Sequence, residues 1–66
     1  MFKVGDRVER VSSLVPSYMQ YGTVIRVVPN KDYVGWLNQY EVNFGNELIA
    51  MFFESELRLV KSFSKN

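Results

Sequence analysis

The sequence predicts an all-β fold, with five short strands closed into a small barrel and a single 3₁₀ turn before the last strand. Three observations carry this expectation. Gln39 to Phe53 reads as one long β-hairpin. The chain on either side supplies further β-branched runs, punctuated by Gly, Pro and Asn. The length, 66 residues, allows one domain.

In the hairpin, Tyr40, Val42 and Phe44 alternate with Glu41 and Asn43. That period of two marks a half-buried strand. Gly45-Asn46 suits a two-residue type II′ turn, because Gly in the first position takes positive φ without a steric cost. Such a turn opposes Phe44 to Glu47, Val42 to Ile49 and Tyr40 to Met51. Opposed residues share a face, so Tyr40, Val42, Ile49, Met51 and Phe53 are expected inside. Gln39, Glu41 and Asn43 then lie outside, together with Leu48, Ala50 and Phe52. The second strand is thus apolar on both faces, whereas a solvated face of an antiparallel sheet is normally polar. It needs a second cover, from this chain or another. Leu48, Ala50 and Phe52 are the expected self-association residues.

The first strand is expected over Asp6 to Val11, with Val8 in the core. Val4 and Val11 do not both keep the phase of Val8, which implies a bulge or an end-of-strand bend. Ser12 to Met19 is a loop, since Pro16 lacks an N–H and turns Val15 away from helix. Tyr18, Met19 and Tyr21 make this loop apolar, so its tip is expected to pack on the barrel. Gly22 to Val28 is the second strand, rich in β-branched residues. Pro29-Asn30-Lys31-Asp32 stops it, and Tyr33 to Leu37 leads into the hairpin. Glu54 to Leu57 is too short for an α-helix and suits one 3₁₀ turn. Leu57 to Val60 supplies the fifth strand. The barrel is expected over residues 1–61, with 62–66 a flexible C-terminal tail.

Composition narrows the function. The chain has no Cys, so neither a disulfide nor a thiolate metal site braces it. It has no His, which removes the usual general base near neutral pH and the commonest metal ligand. Glu54 and Glu56 read as a solvated turn. The expectation is a non-enzymatic protein with no metal and no cofactor. Net charge is +1, with both signs interspersed, unlike the clustered cations of a duplex-binding protein. The sequence holds no apolar run of membrane-spanning length and no leader pattern at Met1, so a cytoplasmic protein without a membrane partner is expected. A chain this short buries only about 60% of its unfolded surface. The ten Phe, Tyr and Trp residues help a small core, and oligomerisation is the remaining common source of stability.

Gly5-Asp6-Arg7-Val8, Tyr21-Gly22-Thr23-Val24 after a Pro/Tyr loop, Tyr40-Glu41-Val42 before a turn, and Glu56-Leu57 form an ordered set. The set resembles the SH3-like barrels of the electron-transport accessory group over about residues 2–61. That group includes the small accessory barrel of photosystem I, the variable chain of ferredoxin–thioredoxin reductase, the barrel of the nitrile hydratase β-chain and type II dihydrofolate reductase. The resemblance implies the SH3-like fold. In the dihydrofolate reductase, four barrels enclose a pore lined by a Val-Gln-Ile-Tyr strand, with a Lys from the first strand. Matching the motifs puts Arg10 at the Lys position and Ile49-Ala50-Met51-Phe52 on the pore strand. The Gln becomes Ala50 and the Tyr becomes Phe52, so the polar groups that bind folate and nicotinamide are lost. What carries over is an apolar strand suited to assembly.

Tyr18, Tyr33 and Trp36 fall in loops expected to meet at one end of the barrel, beside Tyr21 and Tyr40, which read as packing residues. Aromatic side chains so placed hold a methylated amine by cation–π contact, a proline-rich peptide or a stacked base. Trp36, beside Gly35, is the natural anchor. The leading expectation is a protein-association module, most simply with itself as a homo-oligomer. The alternatives are a peptide- or single-stranded nucleic-acid-binding module using Tyr18, Tyr33 and Trp36, and a pore-forming oligomer resembling type II dihydrofolate reductase.

Overall fold

Five antiparallel strands organise the chain in the computed structural model, which describes residues 1–60. They are β1 (Arg7–Arg10), β2 (Tyr21–Val28), β3 (Gln39–Asn43), β4 (Ile49–Phe53) and β5 (Leu57–Leu59). The tail expected over residues 62–66 lies outside the described residues. The expected 3₁₀ turn precedes β5 at Glu54–Glu56, and two more occur in loops, at Ser17–Met19 and Gly35–Leu37. The spatial order is β4-β3-β2-β1-β5. The sheet is not closed as expected: β4 and β5 remain as its two edges, and its curl is compatible with a small barrel-like fold.

The long strand β2 makes the curl possible. Its start, Tyr21 to Thr23, pairs with β1, Val8 opposite Gly22, and the stretch from Thr23 to Val28 pairs with β3. Val24 opposes Val42, but Arg26 opposes Glu41, so Ile25 is an extra residue. A bulge of this kind bends the strand and raises its twist. It also changes the phase. Gly22 and Val24 face inward before it, and Val27, opposite Tyr40, packs on the core after it. The irregularity expected near the first strand lies here instead. Val4 and Val11 are exposed, so neither competes with Val8 for the interior.

Gly22 sits where the two halves of the sheet fold together. A Cβ there would lie 2.5 Å from Val42 Cγ1 and 2.9 Å from the Asn43 carbonyl oxygen. Close backbone approach of this kind is what Gly in a strand permits.

The β3–β4 connection corrects the expected register. The turn is one residue longer than expected. Gly45, Asn46 and Glu47 all have positive φ, 104°, 52° and 65°. The Leu48 N–H donates to the Gly45 carbonyl at 2.9 Å, and the Phe44 N–H donates to the Leu48 carbonyl at 2.9 Å. Asn46 and Glu47 are therefore the central pair of the turn, with the left-handed φ values of type I′. Phe44 meets Leu48 rather than Glu47. Val42 opposes Ala50 and Tyr40 opposes Phe52. A slip of one residue turns every side chain of the strand over. Ala50 and Phe52, expected outside with Leu48, belong to the core side. Ile49, Met51 and Phe53, expected inside, are exposed.

The core is Val8, Val24, Tyr40, Val42, Phe52 and Leu57, with Phe2, Val27, Phe44 and Ala50 packed around it. Phe44 meets Phe52 edge to face at 5.7 Å, and Phe2 meets Tyr40 likewise at 5.1 Å. Such pairs add roughly 0.5–1.5 kcal/mol beyond the area they bury. The Arg10 guanidinium lies 4.3 Å over the Phe52 ring. Arg10 therefore covers one side of the core, where its alkyl stem and charge both find partners.

Two substitutions test this account. Glu47→Gly relieves a left-handed residue that carries a Cβ, and should stabilise the protein by about 1 kcal/mol. Gly22→Ala should destabilise it by about 1–3 kcal/mol, because backbone and core must move to admit the methyl group. Urea denaturation midpoints at constant m-value read both.

Candidate binding surfaces

The two ends of the β2–β3–β4 half-sheet carry different loops. Thr23 pairs with Asn43 near one end, and Val28 pairs with Gln39 at the other. The loop before β2 and the β3–β4 turn therefore share the first end. The β2–β3 loop and the turn before β5 share the second.

At the first end, Tyr18 and Tyr21 face the turn across a groove of about 490 Å³, with Phe44, Gly45, Asn46 and Leu48 on the other wall. The loop tip does not pack down as expected. Tyr18 is 68% exposed and Leu14 projects into solvent. Met19 is half-buried.

At the second end, Trp36 and Leu37 project from the Gly35–Leu37 turn and meet Phe53, Glu54 and Ser55 around a cleft of about 400 Å³. Trp36 is 69% exposed. A smaller cleft of about 230 Å³, lined by Arg10, Val11, Ser12, Ser55 and Glu56, adjoins it at Ser55.

Tyr18, Tyr33 and Trp36 were expected at one end of the barrel. The structure separates them. Tyr18 and Trp36 line different clefts at opposite ends of the half-sheet. Tyr33 lines neither, is almost wholly exposed, and has φ of 60°. Asn30 arranges that loop, with its side-chain oxygen accepting from the Asp32 N–H at 3.0 Å and its own N–H donating to Asn38 Oδ1 at 2.8 Å.

The acidic turn is structured by its own hydrogen bonds. Glu56 Oε1 accepts from the Phe53 N–H at 2.9 Å. Glu54 Oε1 accepts from the Tyr40 hydroxyl at 3.2 Å, and its Oε2 lies 3.4 Å from the α-amino group of Met1. Tyr40 thus joins the core to the rim of the Trp36 cleft. Its phenol pKa is raised above the ordinary 10, chiefly by desolvation. The neighbouring Glu54 carboxylate pushes the same way, while a backbone hydrogen bond with Phe2 opposes it. Among the described residues, no cluster of three acidic side chains is arranged to hold a metal ion, and no helix is long and apolar enough to cross a membrane.

Sequence reasoning missed the third surface. On the outer face of β4, Ile49, Met51 and Phe53 form an apolar stripe, 45%, 37% and 43% exposed. Their cross-strand neighbours on β3 are Asn43, Glu41 and Gln39. Glu41 pairs with Arg26 at 3.1 Å on the same face. The signal in the sequence was the two-sided apolarity of the strand, but it does not say which face is covered.

The structure defines a small all-β domain of five antiparallel strands, compatible with an SH3-like barrel. No family model, curated protein or solved structure matches the chain, so the resemblance to the accessory barrels has no support beyond the motifs quoted above.

The Tyr40 phenol gives a prediction with a definite sign. Its folded pKa is above the unfolded value, so the contribution it makes to stability is present below the unfolded value of about 10 and is lost as pH rises through the folded value. Denaturation midpoints measured between about pH 8 and pH 12 should fall at the alkaline end. Tyr40→Phe should remove that part of the fall and cost about 1 kcal/mol at neutral pH through the lost hydroxyl contacts.

Proposed function

We propose that this protein is a non-catalytic association module that pairs with a second copy of itself through β4. One observation carries the proposal: β4 is an edge strand whose outer face is an apolar stripe. Among the described residues, no strand pairs with its free side. Edge strands are normally guarded by charge, proline, a bulge or short length. The run Leu48 to Phe53 has no charged residue and no proline, and β4 pairs with β3 without a bulge. The opposite edge, β5, is only three residues long and carries Arg58. Two β4 strands set antiparallel about a two-fold axis bring no like charges together. They also set Ile49 and Met51 of the two copies side by side on one face, where each covers part of the other. The apolar second face noted in the sequence supports this reading, with its residues changed from Leu48, Ala50 and Phe52 to Ile49, Met51 and Phe53.

Met51→Lys tests the proposal. In a monomer, the new ammonium sits opposite Glu41 on a solvated face, so the fold should survive. In a dimer, the two new ammonium groups come together across the seam and should weaken association by about tenfold or more. Sedimentation equilibrium should show a wild-type dimer and a folded Met51→Lys monomer. A wild type that stays monomeric across the concentration range, or a variant that associates as well as the wild type, defeats the proposal.

A further inference from the structure

The cleft at Trp36 has a chemistry that self-association does not use. Its lining combines the rings of Trp36 and Phe53, the aliphatic side chain of Leu37, the carboxylate of Glu54 and the hydroxyl of Ser55. A large exposed indole is costly on a surface that serves only solubility, and a tryptophan face is the best aromatic partner for a cation. Glu54 keeps the Tyr40 hydroxyl and the Met1 amino group as neighbours, yet its side chain remains 29% exposed at the cleft wall. None of the cleft's lining residues is cationic. Glu56 lies in the adjoining cleft and adds a second negative charge. Arg10, also in that cleft, has its guanidinium over the Phe52 ring. An anionic ligand would meet two carboxylates here, whereas a cation would add a further partner to Glu54 beside the Tyr40 hydroxyl and the Met1 amino group.

We propose that this cleft binds the alkylammonium side chain of a lysine, free or N-methylated, presented by a protein partner. The ammonium lies against the faces of Trp36 and Phe53 and pairs with Glu54. The methylene stem packs on Leu37. Ser55 accepts a hydrogen bond from a free ammonium and is not needed by a trimethylated one. The site is separate from the β4 pairing proposed above, which rests on Ile49 and Met51. Phe53 alone borders both.

Trp36 is the only tryptophan, so its fluorescence reports on the cleft directly. The test titrates the full chain with N-acetyl-lysine-N-methylamide, with its trimethyllysine counterpart, and with the uncharged norleucine analogue. Both ammonium compounds should give a saturable change, the trimethylated one more tightly, and norleucine should give none. Glu54→Gln keeps an oxygen for the Tyr40 hydroxyl and should weaken ammonium binding roughly tenfold. Trp36→Leu, followed by the Ser55 amide signal in NMR, should abolish binding while the rest of the spectrum stays in place. Met51→Lys should bind lysine as the wild type does, which keeps this site distinguishable from the self-association surface. Norleucine binding as tightly as lysine, no saturable response by roughly 10 mM, or an unchanged affinity in Glu54→Gln would overturn the assignment.

Discussion

The parity of the β3–β4 pairing governs the inside and outside of this molecule. It is expressed in a turn of three residues, Gly45, Asn46 and Glu47, all at positive φ and closed by hydrogen bonds from the Leu48 N–H to the Gly45 carbonyl and from the Phe44 N–H to the Leu48 carbonyl. With a turn of that length, Phe52 stacks edge to face on Phe44 and packs into the core. Shortening the turn by one residue would expose Phe52 and bury Phe53. The core aromatics, the position of Arg10 over Phe52 and the composition of the exposed stripe all follow from that choice.

The second phase change, at Ile25, serves the same interior. A straight β2 in one phase could not present both Val24 and Val27 to the core while pairing with β3. The extra residue lets both contribute and bends the strand, so β1 and β5 can close over Val8 and Leu57. Gly22 allows the bend by bringing its backbone against Val42 and Asn43. In a chain with no disulfide, this concentration of packing around a few aromatic and β-branched residues supplies what cross-links supply in other small domains. The surface ion pairs Arg26–Glu41 and Arg58–Glu9 add little, since exposed pairs contribute about 0–1 kcal/mol.

Tyr40 links this interior to the proposed chemistry. Its ring is fully buried, and its hydroxyl reaches Glu54 at the rim of the Trp36 cleft. A core residue thereby fixes the position of a carboxylate that the sequence suggests is merely part of a solvated turn. The same end of the molecule brings Phe53, the last residue of β4, against Trp36 from a different loop. The surface proposed for self-association and the cleft proposed for a cation therefore meet at Phe53 while depending on different residues elsewhere.

Local sequence was enough to reveal the all-β class, the five strands, the 3₁₀ turn before the last one, and Val8, Tyr40 and Val42 as core. These are written in alternation, β-branched runs and turn residues, which act over a few positions. The same local signals marked β4 as apolar on both faces. Which of those faces is inside was settled by long-range packing. A two-residue turn at Gly45-Asn46 and a three-residue turn over Gly45, Asn46 and Glu47 are both plausible, and the choice rests on whether Phe52 or Phe53 finds partners across the sheet. Packing of the whole chain likewise separated Tyr18 from Trp36. Their loops look alike in sequence, but the direction of β2 places them at opposite ends. Trp36 came together with Phe53 and Glu54 because residues distant in sequence meet only once the strands have paired.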